Sequence, residues 1–146
     1  MKKLYKIIIL PYTLFFLYLM FFGFGRTQFE SHIVRLIPVV STYKFVEKSL
    51  LWSNFESLLI NIVGNIVMFM PFGFLGWIFP KFNNLKTLLM SFLSVLIVVE
   101  ALQYFSRLGV FDVDDIMLNS LGVCVGFWLK NLIQINKIKV IKISEH

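Results

Sequence analysis

The sequence predicts an all-α fold: an integral membrane bundle of four transmembrane helices, forming one domain over residues 1–146, with both termini cytoplasmic. Composition is the first observation behind this. The chain is 58% hydrophobic and 15% charged, with a mean hydropathy of +0.81, whereas soluble domains are about 45–50% apolar and about 25% charged. The second observation is four apolar runs, each close to the ~18–20 residues that cross a bilayer. They leave no room for a separate soluble catalytic domain. The third is the placement of charge. With the N-terminus inside, Lys2, Lys3, Lys6, Lys81, Lys86, Lys130, Lys137, Lys139 and Lys142 lie on the inner side, and Arg26, Arg35, Lys44, Lys48 and Arg107 on the outer. Of the acids, only Glu145 is inside. Excess Lys and Arg mark the cytoplasmic side.

The first helix covers about residues 4–24. Lys2 and Lys3 precede it as they would in a secretory signal, but the run is long and has no small-residue cleavage site, so it reads as a retained span. Pro11 inside it predicts a kink. An outer loop follows over residues 25–56. It mixes Arg26, Glu30, His32, Arg35, Lys44, Glu47, Lys48 and Glu56 with apolar patches at 33–40 and 50–52. The patches and Trp52 predict that part of it lies along the membrane interface. His32 reads as a solvated loop residue.

The second helix covers about 57–79. Within it Pro71 and Gly73 break the helix locally and free backbone groups that neighbours must satisfy. A short turn over 80–86 leads to a third helix at about 87–105. A second loop, 106–114, contains Gly109 and acids, and a fourth helix covers about 115–133. The tail, with Lys137, Lys139 and Lys142, reads as a surface anchor. Cys124 is the one cysteine and reads as a small buried packing residue.

Several function classes drop out. The net charge of +6 does not point to nucleic acid, because the lysines flank the spans. The partners expected are membrane lipids. No His/Cys set suggests a metal, no Gly-rich phosphate loop or nucleophile elbow appears, and no cofactor is expected.

What remains is a polar constellation inside apolar segments. Asn61 and Asn65 lie one turn apart on the second helix. Glu100, Gln103 and Arg107 follow spacings of three, four and seven, which makes one stripe on the third. Asp115, Asn119, Gly122 and Gly126 make a stripe on the fourth, with Asp114 as its expected N-terminal cap and Asp112 just before it. All fall in the outer half, and together they predict one polar pocket open to the outside. Gly122 and Gly126 have the small-xxx-small spacing of close helix contacts. Two readings stand side by side. Intramembrane amides can serve only as interhelical glue, worth about 0.6 kcal/mol each. Glu100 can be half of a structural ion pair with Arg107 or part of a binding site.

The run Asn61-Ile-Val-Gly-Asn-Ile-Val-Met-Phe-Met-Pro-Phe-Gly-Phe74 resembles a signature of the VanZ-like family. So do Glu100-Ala-Leu-Gln103 with Arg107, Phe111-Asp-Val-Asp-Asp-Ile116 and Asn119-Ser-Leu-Gly122. Arg35-Leu-Ile-Pro38 is similar to the family's Asn-Leu-Ile-Pro step, with Arg at the first position. The resemblance implies a small bacterial membrane protein; the family's named member is associated with teicoplanin resistance. It implies a multi-pass protein of the bacterial cytoplasmic membrane. The favoured expectation is a non-enzymatic envelope protein that binds a lipid-linked cell-wall precursor or a lipoglycopeptide in the outward pocket. An intramembrane enzyme, with Glu100 as acid/base and Asp112 or Asp115 assisting, is the alternative. A scaffold or transporter subunit, acting as an oligomer, is a third.

Overall fold

The computed structural model describes the backbone of residues 1–23, 28–51 and 55–144, and within these all side chains but those of residues 41, 45, 48–51, 55, 57–61 and 137–144. Helix α1 spans Lys2–Phe22 and continues through Pro11. Among the described residues, three helices are long and apolar enough to cross a membrane: Lys2–Phe22, Leu85–Phe105 and Val113–Asn136. The chain is a mostly helical membrane protein. The predicted second span is divided. Its first part is helix α3, Phe55–Phe69; the second is a 3₁₀ segment, Met70–Trp77.

Pro71 explains the division. It has no N–H to donate, and its ring crowds the carbonyl one turn back, so the chain tightens at Met70. The carbonyls at this switch receive hydroxyl donors from α1. Tyr12 donates to the Met68 carbonyl at 2.6 Å and Tyr5 to the Pro71 carbonyl at 2.9 Å. The expectation that neighbours satisfy backbone freed around Pro71 is met by these two tyrosines.

A 3₁₀ turn, Pro80–Asn83, leads to helix α4, Leu85–Phe105. Asn84 caps α4, its side chain accepting from the Thr87 N–H at 3.0 Å. Helix α5, Val113–Ser144, begins two residues before the predicted start and carries on through the region expected to be a tail.

The outer loop is more ordered than its sequence suggests. Strand β1, Val34–Arg35, pairs in parallel with β2, Phe111–Asp112; Val34 lies opposite Phe111 and Arg35 opposite Asp112. A pair this short carries no alternating pattern for a sequence to show, so an all-α expectation overlooks it. Helix α2, Val40–Leu51, then occupies residues read as loop. Trp52 and Arg26 lie outside the described residues.

Helix α5 is the centre of the packing, against α3, the 3₁₀ segment and α4. It runs parallel to α3 and the 3₁₀ segment, and glycine permits the approach. A Cβ on Gly122 would collide with the Ile66 carbonyl, and one on Gly126 with the Met70 carbonyl. The core gathers Phe16, Phe69, Leu88, Leu96, Val123 and Phe127. Cys124 is half-buried rather than enclosed.

Candidate functional site

The polar residues of α3, α4 and α5 gather at the end of the bundle where β1 and β2 pair. The Arg35 guanidinium lies 3.4 Å from the Asp112 carboxylate. The other oxygen of Asp112 accepts from the Asp114 N–H at 2.9 Å, which makes Asp112 the cap of α5. This corrects the expectation for Asp114. Because α5 begins at Val113, the capping position falls on Asp112. The Asp114 carboxylate serves α2 instead, accepting from the Val39 N–H and, at 2.7 Å, from the Thr42 N–H. Val39 holds a left-handed backbone, φ 69°, rare for a β-branched residue. Two carboxylates two positions apart thus fasten the starts of two helices.

One turn further along α5, Asp115 accepts from the Asn65 amide at 3.4 Å and joins α5 to α3. Asn119 follows one turn below on the same side of α5. It is 3% exposed, and its side-chain oxygen has no hydrogen-bond partner among the described residues. Gly122 lies beneath, against α3.

On α4, Glu100 is 3% exposed and Gln103 is buried with it. The Gln103 amide nitrogen donates to the Met20 carbonyl at 2.9 Å, tying α4 to the end of α1. Arg107 does not continue their stripe. Helix α4 ends at Phe105, and Arg107 sits in the following turn with φ 58°, exposed. Its carbonyl receives the Phe29 N–H at 2.9 Å, so its backbone anchors the loop. The Asn61 side chain lies outside the described residues. His32 is exposed, as expected, yet placed: its Nδ1 is 2.9 Å from the Tyr104 carbonyl.

The structure therefore brings Asn65 to Asp115 and lines Asp112, Asp115 and Asn119 along the start of α5, while Arg107 lies exposed in the turn after α4 at the same end. Sequence reasoning missed the clasp formed by Arg35 with Asp112 and by Asp114 with α2. Its signal was a basic residue and a left-handed turn far from the acids in sequence, and neither points to a partner.

The opposite end holds buried polar groups too, among them the Trp77 indole nitrogen, which has no hydrogen-bond partner among the described residues. Lys130, counted above among the flanking charges, is 0% exposed. Its ammonium donates to the Asn83 side-chain oxygen at 2.8 Å and lies 4.2 Å from the centre of the Phe127 ring. Gly76 makes room for it: a Cβ there would stand 2.8 Å from the ammonium nitrogen.

Chemically, the strand end is rich in acceptors: carboxylates, the Asn119 oxygen and the Gln103 amide oxygen, whose nitrogen is already committed. Such a set orients a hydrogen-bond donor. The family model described as VanZ/LLP1 matches residues 8–134. No curated protein and no solved structure matches the chain.

Proposed function

This chain belongs to the VanZ/LLP1 family, and on that premise we propose that it is a multi-pass protein of the bacterial cytoplasmic membrane. Its outward polar pocket binds an envelope ligand and so lowers susceptibility to teicoplanin-type glycopeptide antibiotics. The chain crosses four times, as α1, as α3 with its 3₁₀ continuation, as α4 and as α5, with both termini cytoplasmic. Fifteen α-helical residues and eight 3₁₀ residues reach about 38 Å, more than the ~30 Å hydrocarbon core. The lysine bias sets the strand end outside. The ligand is a lipid-linked wall precursor or a lipoglycopeptide, its tail lying along the apolar flanks of α3 and α5.

The observation that carries this reading is the burial of Glu100, Gln103 and Asn119 near one end of so apolar a chain. Polar groups within membrane segments are expensive and mark ligand paths. The test is the teicoplanin susceptibility of a sensitive Gram-positive host expressing wild type, Glu100→Ala or Glu100→Gln at matched membrane levels. Wild type raises the inhibitory concentration, Glu100→Ala abolishes the rise, and Glu100→Gln keeps part of it. No rise with wild type overturns the proposal.

A second reading, an intramembrane enzyme acting on an envelope lipid, is favoured by the enclosure of the Glu100 carboxyl. Glu100 would then be the acid/base. In that case Glu100→Gln loses all function while the protein stays folded, and product forms with purified protein.

A further inference from the structure

The hydrogen-bonding inventory of the strand end narrows the ligand, and the narrowing rests on the outward-pocket reading above. The buried polar side chains there are the carboxylates of Glu100, Asp112 and Asp114 and the amides of Gln103 and Asn119. Asn119 is 3% exposed, and its oxygen has no partner among the described residues. A buried acceptor left without a donor costs about 1–3 kcal/mol, so its place in this seam calls for a donor from outside. Gln103 has committed its nitrogen to the Met20 carbonyl and retains its oxygen. Asp115 lies one turn above Asn119. Asp115 accepts from Asn65 through one oxygen, and a carboxylate has two, each with more than one acceptor position. The one cation paired at this end among the described residues, Arg35, is engaged by Asp112 and is 54% exposed. It stands at the rim rather than in the seam. A phosphate, itself an acceptor, would bring no donor to the Asn119 oxygen.

We propose that the outward pocket reads a protonated primary amine, carried by an amphiphile whose tail lies in the bilayer. The ammonium donates to Asp115 and the Asn119 oxygen. The phosphate or sugar portion stays outside the seam.

The experiment uses the full chain in phosphatidylcholine nanodiscs doped with equal amounts of phosphatidylglycerol, lysyl-phosphatidylglycerol and its amine-acetylated form. Retained lipid is counted by native mass spectrometry. All three share one glycerophosphate backbone, and the two lysyl lipids differ from each other only at the amine. A charge-assisted donor predicts about tenfold retention of lysyl-phosphatidylglycerol over the acetylated form. The protein's net charge of +6 acts in the opposite direction, toward phosphatidylglycerol, so nonspecific attraction does not imitate the result. Asn119→Leu and Asp115→Asn remove the preference, and Lys130→Met, at the opposite end, leaves it. Equal retention of all three, or preference for phosphatidylglycerol, overturns the proposal, and this wild-type comparison holds even where a variant does not fold.

The outcome separates from that of the susceptibility test. Amine preference without any change in susceptibility removes the antibiotic role and keeps the ligand class. Altered susceptibility without amine preference keeps the pocket and removes the ligand class.

Discussion

At the strand end, Asp112, Asp114, Glu100, Gln103 and Asn119 are buried, and Asn119 keeps an oxygen without a partner among the described residues. At the opposite end a single Lys130 is buried more completely, and its ammonium rests on Asn83 and the face of Phe127. Both ends put polarity inside an apolar bundle, but they do so to different effect. Around Lys130 a glycine notch, an amide oxygen and a ring close on one charge, which is what a structural staple requires. Around Asn119 a potential hydrogen bond is left unmade. The difference teaches what each end lacks among the described residues: at the strand end a donor for the Asn119 oxygen, at the Lys130 end an acceptor for the Trp77 indole N–H.

Four substitutions test that contrast. The largest effect is expected from Gly126→Val, because a side chain there strikes the Met70 carbonyl in the seam that carries both ends. Overpacking of this kind costs about 1–3 kcal/mol and more when backbone must move; a thermal melt in detergent should drop sharply, with lysyl-lipid retention falling too. Asp114→Ala comes next. It strips the Val39 and Thr42 N–H groups of their acceptor, a loss of about 1–3 kcal/mol where such groups are buried. Hydrogen exchange should accelerate at residues 39–43 while α5 keeps its protection. Unchanged exchange there would mean that the clasp does not hold α2.

Tyr12→Phe removes the hydroxyl from the Met68 carbonyl and should cost about 1 kcal/mol, read as a modest fall in melting temperature with ligand retention intact. The smallest effect belongs to Lys130→Met. Met fills the same space and removes the cost of burying a charge, but it leaves the Asn83 oxygen without its donor, so the melt should change little and antibiotic susceptibility should match wild type. If Lys130→Met instead abolishes the phenotype, the contrast between the ends fails, because the staple would then be part of the function.

Much of this architecture was legible in the sequence. Apolar runs located α1, α4 and α5 to within a few residues at most of their ends, since hydropathy is the dominant signal in a membrane chain. Pro71 foretold a break in the second span, though not that the chain would tighten into eight residues of 3₁₀ helix, because that depends on how closely α5 approaches. Asn65, Asp115 and Asn119 were found by their energetic cost in lipid. What stayed hidden depends on contacts across long stretches of chain. Arg35 and Asp112 are 77 residues apart, and their pairing follows from a two-residue strand with no periodicity of its own. Helix α2 was unreadable for a similar reason: part of what starts it, the Asp114 carboxylate, belongs to another helix. Arg107 failed in the other direction. Its spacing continues the α4 stripe on paper, but the helix ends two residues earlier, and spacing has no meaning past a helix end.

Val39 carries a consequence of its own. A β-branched residue held in the left-handed region stores roughly 1–3 kcal/mol that the surroundings must impose, and the Asp114 carboxylate is what grips its N–H. The turn before α2 is therefore a cocked spring. Loosening the grip lets Val39 relax downhill toward extended backbone, so α2 should leave its seat in one step rather than fray. Glycine at position 39 would uncock it, and the segment would then detach and return with no preferred direction.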